Sequence, residues 1–207
     1  MSTILTIDFD IIMAPAIDLY NDLIGDEKGV NQIITQYPLL EYTLTGDLFI
    51  YEAVTRGLVS LFHKIPADKV HFITEHHNIV PLVENHEEFK LINIDHHHDI
   101  GYNNIKTALR IRKPDCGNWV KYLTDAGKIK EYIWICNKNS NMPNSSLYKS
   151  YLKDYIEIQS VDFRKFEDID ELIICNSPQW IPPNLQALFM TWVGIAEEFY
   201  GKNFDIL

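Results

Sequence analysis

Aspartate and histidine side chains cluster in this sequence at the ends of three apolar runs. The runs ILTI, VHFIT and KLINI are followed by DFD, EHHN and DHHHD, respectively. Carboxylate oxygens and imidazole nitrogens bind divalent metal ions, and buried carboxylates need a cation or another partner. The metal ligands predicted from these runs are Asp8, Asp10, His77, Asp95, His97 and Asp99.

The spacing within DHHHD limits how these ligands can be arranged. In an extended segment alternate side chains point the same way, so Asp95, His97 and Asp99 share a face. Their Cα atoms are spaced by about 6.6 Å, which is too far for one ion to bind all three on a straight strand. A strand end that curls, or two ions side by side, would satisfy this spacing. His96 and His98 point the other way and are expected to pack or to support the ligands.

The donor set also indicates a reaction class. It contains oxygen and nitrogen but no cysteine, which suits manganese, iron or zinc and disfavours a structural zinc site. Two neighbouring ions can share a water, bring its pKa close to neutrality and stabilise a tetrahedral intermediate. These residues therefore predict a hydrolase.

The elements that must position these residues alternate between short apolar strands and longer helical patterns. Such alternation is typical of βαβ units, and ligands in these folds bind beyond the carboxyl ends of the strands. We therefore predict one α/β domain over residues 1–207, with three αβα layers and a mainly parallel sheet. The predicted strands are 4–9, 70–74, 90–94, 132–136, 155–158 and 172–175, the predicted helices are 46–64, 117–126 and 184–200, and long loops are expected at 101–115 and 137–146.

Composition narrows the possible partners and the compartment. The chain has 18 basic and 29 acidic residues and a net charge of -11, which is opposite to the usual charge of nucleic-acid-binding proteins. Three cysteines, none in a C-x-x-C pair, indicate a reducing compartment. The chain shows neither a secretory signal pattern nor an apolar run of about 20 residues. We expect a cytoplasmic protein with no nucleic-acid or membrane partner; the oligomeric state stays open.

These motifs resemble those of the arginase/deacetylase superfamily. Its D-x-H-x-D signature corresponds to residues 95–99, and its D-x-D signature to residues 8–10. The D-x-D strand comes late in arginases and first here, so the resemblance implies a circularly permuted arginase-like fold. A closer similarity is to the arginase-like family that contains the peptide arginases of ribosomal-peptide maturation. Its E-x-H and S-P-x-W motifs correspond to residues 75–77 and 177–180.

The resemblance implies a site with two manganese ions. It also implies conversion of a peptidyl arginine to ornithine, with release of urea, through a hydroxide bound to the two ions. Asp95 and one aspartate of the D-x-D pair would bridge the ions. Glu75 would bind the substrate guanidinium, since a carboxylate can accept two N–H donors at once. Asn118, in a G-N turn, is a second candidate for substrate binding, and His76 is an alternative to His77 as the ligand.

One departure from arginases concerns proton transfer. Arginases carry a histidine soon after the G-N turn, whereas Trp119 follows Asn118 in this chain. Either His96 or His98 would then act as the catalytic proton shuttle, with His76 as a further candidate, or the chemistry differs. Two alternatives to a peptide arginase remain: another metal-dependent C–N hydrolase, such as a deacetylase or guanidino hydrolase, and a non-catalytic binding protein of the same fold.

Overall fold

A computed structural model describes residues 1–13, 46–101, 113–140, 142, 150–152 and 154–207. Within these residues, six strands form one sheet in the order β2-β6-β1-β3-β4-β5, and neighbouring strands run parallel throughout. The strands are β1 (Ser2–Asp8), β2 (Val70–Ile73), β3 (Phe89–Ile94), β4 (Ile129–Cys136), β5 (Asp154–Glu157) and β6 (Glu171–Cys175).

Helices pack on both faces of this sheet. The described helices are α1 (Leu48–Phe62), α2 (Ile79–Val83), α3 (Trp119–Asp125) and α4 (Pro183–Tyr200). One buried cluster joins α1 and α4 to side chains such as Leu5 and Ile7 of β1. A second cluster joins α2 and α3 to the opposite face, which includes Ile4 and Leu91. The alternation of strand side chains between two covered faces explains why the strands read as continuous apolar runs.

Local signals in the sequence account for the ends of the longer helices. The side chain of Asp47 accepts hydrogen bonds from the backbone N–H groups of Phe49 and Ile50 and so caps the start of α1. Pro183 begins α4, where a missing N–H costs nothing, and Gly201 ends it with a left-handed φ of 65°. These caps define the ends of the two helices that cover the sheet face opposite α2 and α3.

The predicted α/β class and the mainly parallel sheet are confirmed. Each of the six predicted strands and three predicted helices is present, with ends shifted by a few residues. Of the predicted loops, residues 102–112, 141 and 143–146 lie outside the described residues. Within the part of the chain that is described, no helix has both the length and the apolar character needed to cross a membrane.

The strand order brings the candidate ligands to one edge of the sheet. β1 pairs with β3 in register, so that Ile7 lies beside Ile94. The segments that follow these strands, including Asp10 and Asp95, therefore leave the sheet side by side. β6 lies between β1 and β2, and it contributes the segment after Cys175 to the same edge.

Candidate metal centre

The strand ends curl instead of continuing straight. β1 ends at Asp8, whose Oδ1 accepts the backbone N–H of Asp10 at 3.2 Å and caps a 3₁₀ turn over Phe9–Ile12. After β3, Asp95 Oδ1 accepts the backbone N–H of His97 at 2.8 Å. Asp99 has a left-handed φ of 49°. These turns bring side chains together that a straight strand would hold apart.

The first group of candidate ligands gathers around His76. The group consists of Asp8, His76 and Asp95, each buried, with ligand atoms within 4.8 Å of one another. His76 Nδ1 lies 3.1 Å from Asp8 Oδ2, 3.0 Å from Asp95 Oδ2 and 3.1 Å from Asp99 Oδ2. Three strand ends, those of β1, β2 and β3, thus supply oxygen and nitrogen atoms to one point.

The second group lies beside the first and shares Asp95 with it. It consists of Asp10, Asp95 and His97. His97 Nδ1 lies 2.8 Å from Asp10 Oδ2 and 3.9 Å from Asp95 Oδ1. Asp95 therefore presents Oδ2 to the first group and Oδ1 to the second. A carboxylate with this arrangement can bridge two cations.

The contacts within both groups fit a shared cation better than direct hydrogen bonds. Asp10 Oδ2 and both ring nitrogens of His76 are buried, yet none has a hydrogen-bond partner among the described residues, because the close contacts lack hydrogen-bond geometry. Buried polar atoms are otherwise nearly always hydrogen-bonded. Adjacent ligands of an octahedral ion with bonds near 2.1 Å lie roughly 3 Å apart. His76 Nδ1 lies at about this distance from its three carboxylate oxygens, and His97 Nδ1 from Asp10 Oδ2. This buried Asp/His cluster could hold a metal ion.

The pKa values show how strongly the cluster attracts positive charge. Burial raises the pKa of Asp8 and Asp10, and a neighbouring carboxylate adds to each shift. Burial and the charge of Asp99 raise the pKa of Asp95 to about 6. Burial opposes protonation of His97, but Asp10 beside it raises the pKa of His97 to about 10. The pKa of His76 likewise rises well above its usual value through its contacts with carboxylates, against the effect of burial.

Three carboxylates of the cluster accept hydrogen bonds from neutral side chains that belong to neither ligand group. Ser177 Oγ donates to Asp8 Oδ2 at 2.6 Å, and Asn93 Nδ2 donates to Asp95 Oδ2 at 3.1 Å. Trp119 Nε1 donates to Asp99 Oδ2 at 2.5 Å. Such outer hydrogen bonds orient metal ligands and are typical of metal sites in proteins.

Of the predicted ligands, only His77 lies outside the two groups and their contacts. Its Nδ1 atom is 3.4 Å from Glu75 Oε2, and both side chains are partly exposed. The adjacent His76 points into the cluster instead. Glu75 is extended, and a 3₁₀ turn over His76–Asn78 follows it directly, so the alternation expected of a strand ends there. The structure thus favours His76, which the sequence left as the alternative.

His96 and His98, on either side of His97, lie in surroundings that do not suit a proton shuttle. His96 is buried, and neither of its ring nitrogens has a hydrogen-bond partner among the residues described; burial lowers its pKa to about 3. Burial lowers the pKa of His98 to about 4, and its Nδ1 atom accepts the backbone N–H of Ile100. Both rings are therefore neutral near pH 7, which disfavours them as carriers of a proton.

Asn118 is engaged within its own turn. Its Oδ1 atom accepts the backbone N–H of Asp115 at 3.0 Å, and its Nδ2 atom donates to the backbone oxygen of Lys113 at 3.4 Å. The side chain is also buried. This engagement favours a structural role for Asn118 over contact with a substrate.

Sequence reasoning did not find two residues that contact the cluster. Ser177 was noted only as part of S-P-x-W, and its left-handed φ of 45° turns the chain after β6 toward Asp8. Trp119 was noted only as a departure from arginases, although a tryptophan with a buried N–H needs a hydrogen-bond acceptor. Trp180, the last residue of S-P-x-W, also lies beside the cluster, with its ring centroid 5.2 Å from that of His97.

Comparisons with protein-family models, with curated proteins and with solved structures gave no match.

Proposed function

We propose that this protein is a metal-dependent hydrolase whose centre holds two divalent ions. The position of Asp95 carries the proposal, because its two oxygens face two different groups of buried ligands. One ion would be held by Asp8, His76 and Asp95, with Asp99 beside them, and the other by Asp10, Asp95 and His97. A single ion would leave one of the two groups of buried carboxylates uncompensated.

The chemistry follows from what paired divalent ions supply when bound: they acidify a water and polarise the bond under attack. The residues of the chain hold the pair in place and keep its surroundings dry. Asp8, Asp10 and Asp95 are almost fully buried, whereas the side chain of His97 is 36% exposed. A substrate would therefore reach the centre from the side of His97.

For the reaction itself we propose that of a peptide arginase, with manganese as the metal. The support is the resemblance of three strand-end motifs to the arginase-like family. We also propose that the fold of this chain is arginase-like and circularly permuted relative to arginases, because its D-x-D motif comes first. His76 replaces His77 in this proposal as the nitrogen ligand after β2. Asp10 and His97, which contact each other at 2.8 Å, match the D-x-D and D-x-H-x-D motifs in adjacent strand ends.

The substrate class follows from charge. Glu75 lies just before His76 and its side chain is 43% exposed, so its carboxylate can accept the N–H groups of a guanidinium. The net charge of -11 attracts a cationic side chain and disfavours nucleic acid. We propose a peptide containing arginine as the substrate. We also propose that the reaction takes place in the cytoplasm, because none of the three cysteines lies in a C-x-x-C pair.

The first experiment measures bound metal and then product. The protein is reconstituted with manganese and analysed for metal, and we expect about two ions per chain. Arginine-containing peptides are then incubated with the loaded protein, and mass spectrometry detects ornithine while a colorimetric assay detects urea. Asp95→Asn should lose both metal and turnover. Asp162→Asn is the matched control, because this partly exposed carboxylate lies outside both ligand groups and pairs with Arg164.

The results test the metal centre, the hydrolase activity and the arginase activity separately. No bound metal would contradict the metal centre and the hydrolase together. Two ions with no ornithine, but with turnover on acetylated amines or other guanidines, would move the assignment to another C–N hydrolase.

A second candidate is a metal-binding protein that does not turn over substrate. The observation that favours it is the low pKa of both His96 and His98, which leaves these two residues neutral near pH 7. It predicts two bound ions and no product from amides, amidines or guanidines. Turnover on any of these substrates would exclude it.

A further inference from the structure

Trp119 contacts the metal centre from the α3 side. Its indole Nε1 donates to Asp99 Oδ2 at 2.5 Å, and both side chains are buried. Asp99 Oδ2 is also the atom that lies 3.1 Å from His76 Nδ1. One oxygen atom thus receives the indole N–H while facing the first ligand group. A carboxylate oxygen has two lone pairs, so it can accept the indole N–H and still bind a cation.

The same indole also packs on a nitrogen ligand. The ring centroids of Trp119 and His76 lie 4.7 Å apart with an interplanar angle of 50°. Trp119 is therefore in contact with residues that follow two different strands, His76 after β2 and Asp99 after β3. Within the part of the chain that the structure describes, no hydrogen bond to another residue fixes the His76 ring, because neither of its nitrogens has a partner there.

The backbone around Trp119 is tied to the same segment. Val120 N donates to Asp99 O at 3.1 Å, and Gly101 N donates to Gly117 O at 2.9 Å. These bonds hold the start of α3 against the strand end that carries Asp99. These backbone hydrogen bonds therefore hold the indole close to the Asp99 carboxylate.

We infer that Trp119 is a positioning residue for the metal centre, in which its indole N–H orients Asp99 and its ring orients His76 within the first ligand group. This inference rests on the proposed function, because it presupposes that the group binds a metal. A hydrogen bond from an outer donor fixes the orientation of a ligand, and its loss typically weakens metal affinity 10- to 100-fold. The role needs the indole N–H and not only the aromatic ring.

The chain offers a matched control in Trp134. Trp134 is equally buried, and its Nε1 atom donates to the backbone oxygen of Asp95 at 2.9 Å. Both residues thus donate an indole N–H beside the centre, but only Trp119 donates to a carboxylate oxygen of the cluster. Trp119→Phe and Trp134→Phe each remove one donor and keep an aromatic ring.

The experiment titrates the metal-stripped, full-length proteins with manganese alone in a calorimeter. We expect Trp119→Phe to weaken one of the two binding events about 10- to 100-fold, and Trp134→Phe to change neither by more than about 3-fold. Cobalt(II) gives a second readout. Its visible absorption bands should change in Trp119→Phe and match the wild type in Trp134→Phe, which a loss of stability alone would not produce.

Three outcomes decide the inference. Unchanged manganese affinity and cobalt spectrum in Trp119→Phe would overturn it and leave the metal centre intact. No metal binding by the wild type would overturn it together with the proposed function. If Trp119→Phe does not fold, NMR spectra of the ¹⁵N-labelled wild type decide the question. Titration with zinc should then shift the indole N–H signal of Trp119 more than those of the other tryptophans. The absence of such a shift would overturn the inference.

Discussion

His76 Nδ1 lies 3.0 Å from Asp95 Oδ2, yet the two atoms do not form a hydrogen bond. The ring nitrogen instead lies at nearly equal distances from oxygens of three aspartates. One N–H group cannot point at three acceptors, whereas one cation can bind all four atoms. This relationship supports a metal centre and distinguishes His76 from its neighbour in the sequence.

The adjacent histidines provide a direct test of that distinction. We expect His76→Ala to lose at least one of two bound manganese ions, because it removes a nitrogen from the first ligand group. His77→Ala should keep both ions, since its ring lies at the exposed Glu75. Metal analysis of the two purified variants measures the difference. Equal metal content in both would contradict the placement of the ligand.

The contributions of Asp95 and His97 to the stability of the metal-free protein should depend on pH in a defined direction. Burial raises the pKa of Asp95 from 3.8 to about 6, so the folded state binds the proton more tightly than the unfolded state. The contribution of Asp95 is therefore present below pH 3.8 and is lost as the pH rises through about 6. His97, whose pKa is raised to about 10, adds a loss of the same sign between pH 6.5 and about 10.

Urea unfolding at a series of pH values, with a chelator present, measures this dependence. Manganese should reduce it, because the ion replaces the protons and binds only the folded state. Asp95→Asn should remove the part of the dependence below about pH 6. The same dependence on pH in metal-free Asp95→Asn and wild type would contradict the assignment.

A second titratable group stabilises the amino-terminal end of the sheet. Glu171 is buried at the start of β6, where its two oxygens lie 2.7 Å from His71 Nε2 and 2.9 Å from His86 Nε2. Burial opposes ionisation, but these histidines hold the pKa of Glu171 below its usual value. Its contribution is present above pH 4.5 and is lost as the pH falls below that value.

We expect Glu171→Gln to lower the free energy of unfolding at pH 7 by about 1–3 kcal/mol, as for other charged hydrogen bonds. Urea unfolding of the two proteins at pH 7 measures this loss. Manganese stoichiometry should not change, because none of these three residues belongs to either ligand group. A loss of bound metal in Glu171→Gln would show that the two ends of the sheet are coupled.

Two helical glycines test the packing of the helices independently of the centre. A Cβ atom at Gly57 in α1 would overlap the ring of Phe163, whereas one at Gly194 in α4 would meet nothing within 4 Å. Gly57→Ala should therefore destabilise the protein by about 1–3 kcal/mol. Gly194→Ala should stabilise it by about 0.5–1 kcal/mol, because alanine favours the helix. Thermal unfolding of both variants measures the contrast, and equal shifts would contradict the packing of α1.

The sequence alone determined the elements and most of the candidate ligands. Buried parallel strands appear in a sequence as apolar runs. Polar residues directly after such runs do not build the apolar core, so they indicate another role. Asp8, Asp10, Asp95, His97 and Asp99 could be chosen on this basis, because strand periodicity and ligand chemistry are local properties of the chain.

Only the tertiary structure decided which histidine after β2 joins the cluster and what holds it. A 3₁₀ turn over His76–Asn78 follows the extended Glu75, and within it His76 is the residue that contacts the carboxylates. The insertion of β6 between β2 and β1 brings Ser177 to Asp8, and the packing of α3 brings Trp119 to Asp99. These contacts join distant segments, and no local pattern of residues encodes which strands become neighbours.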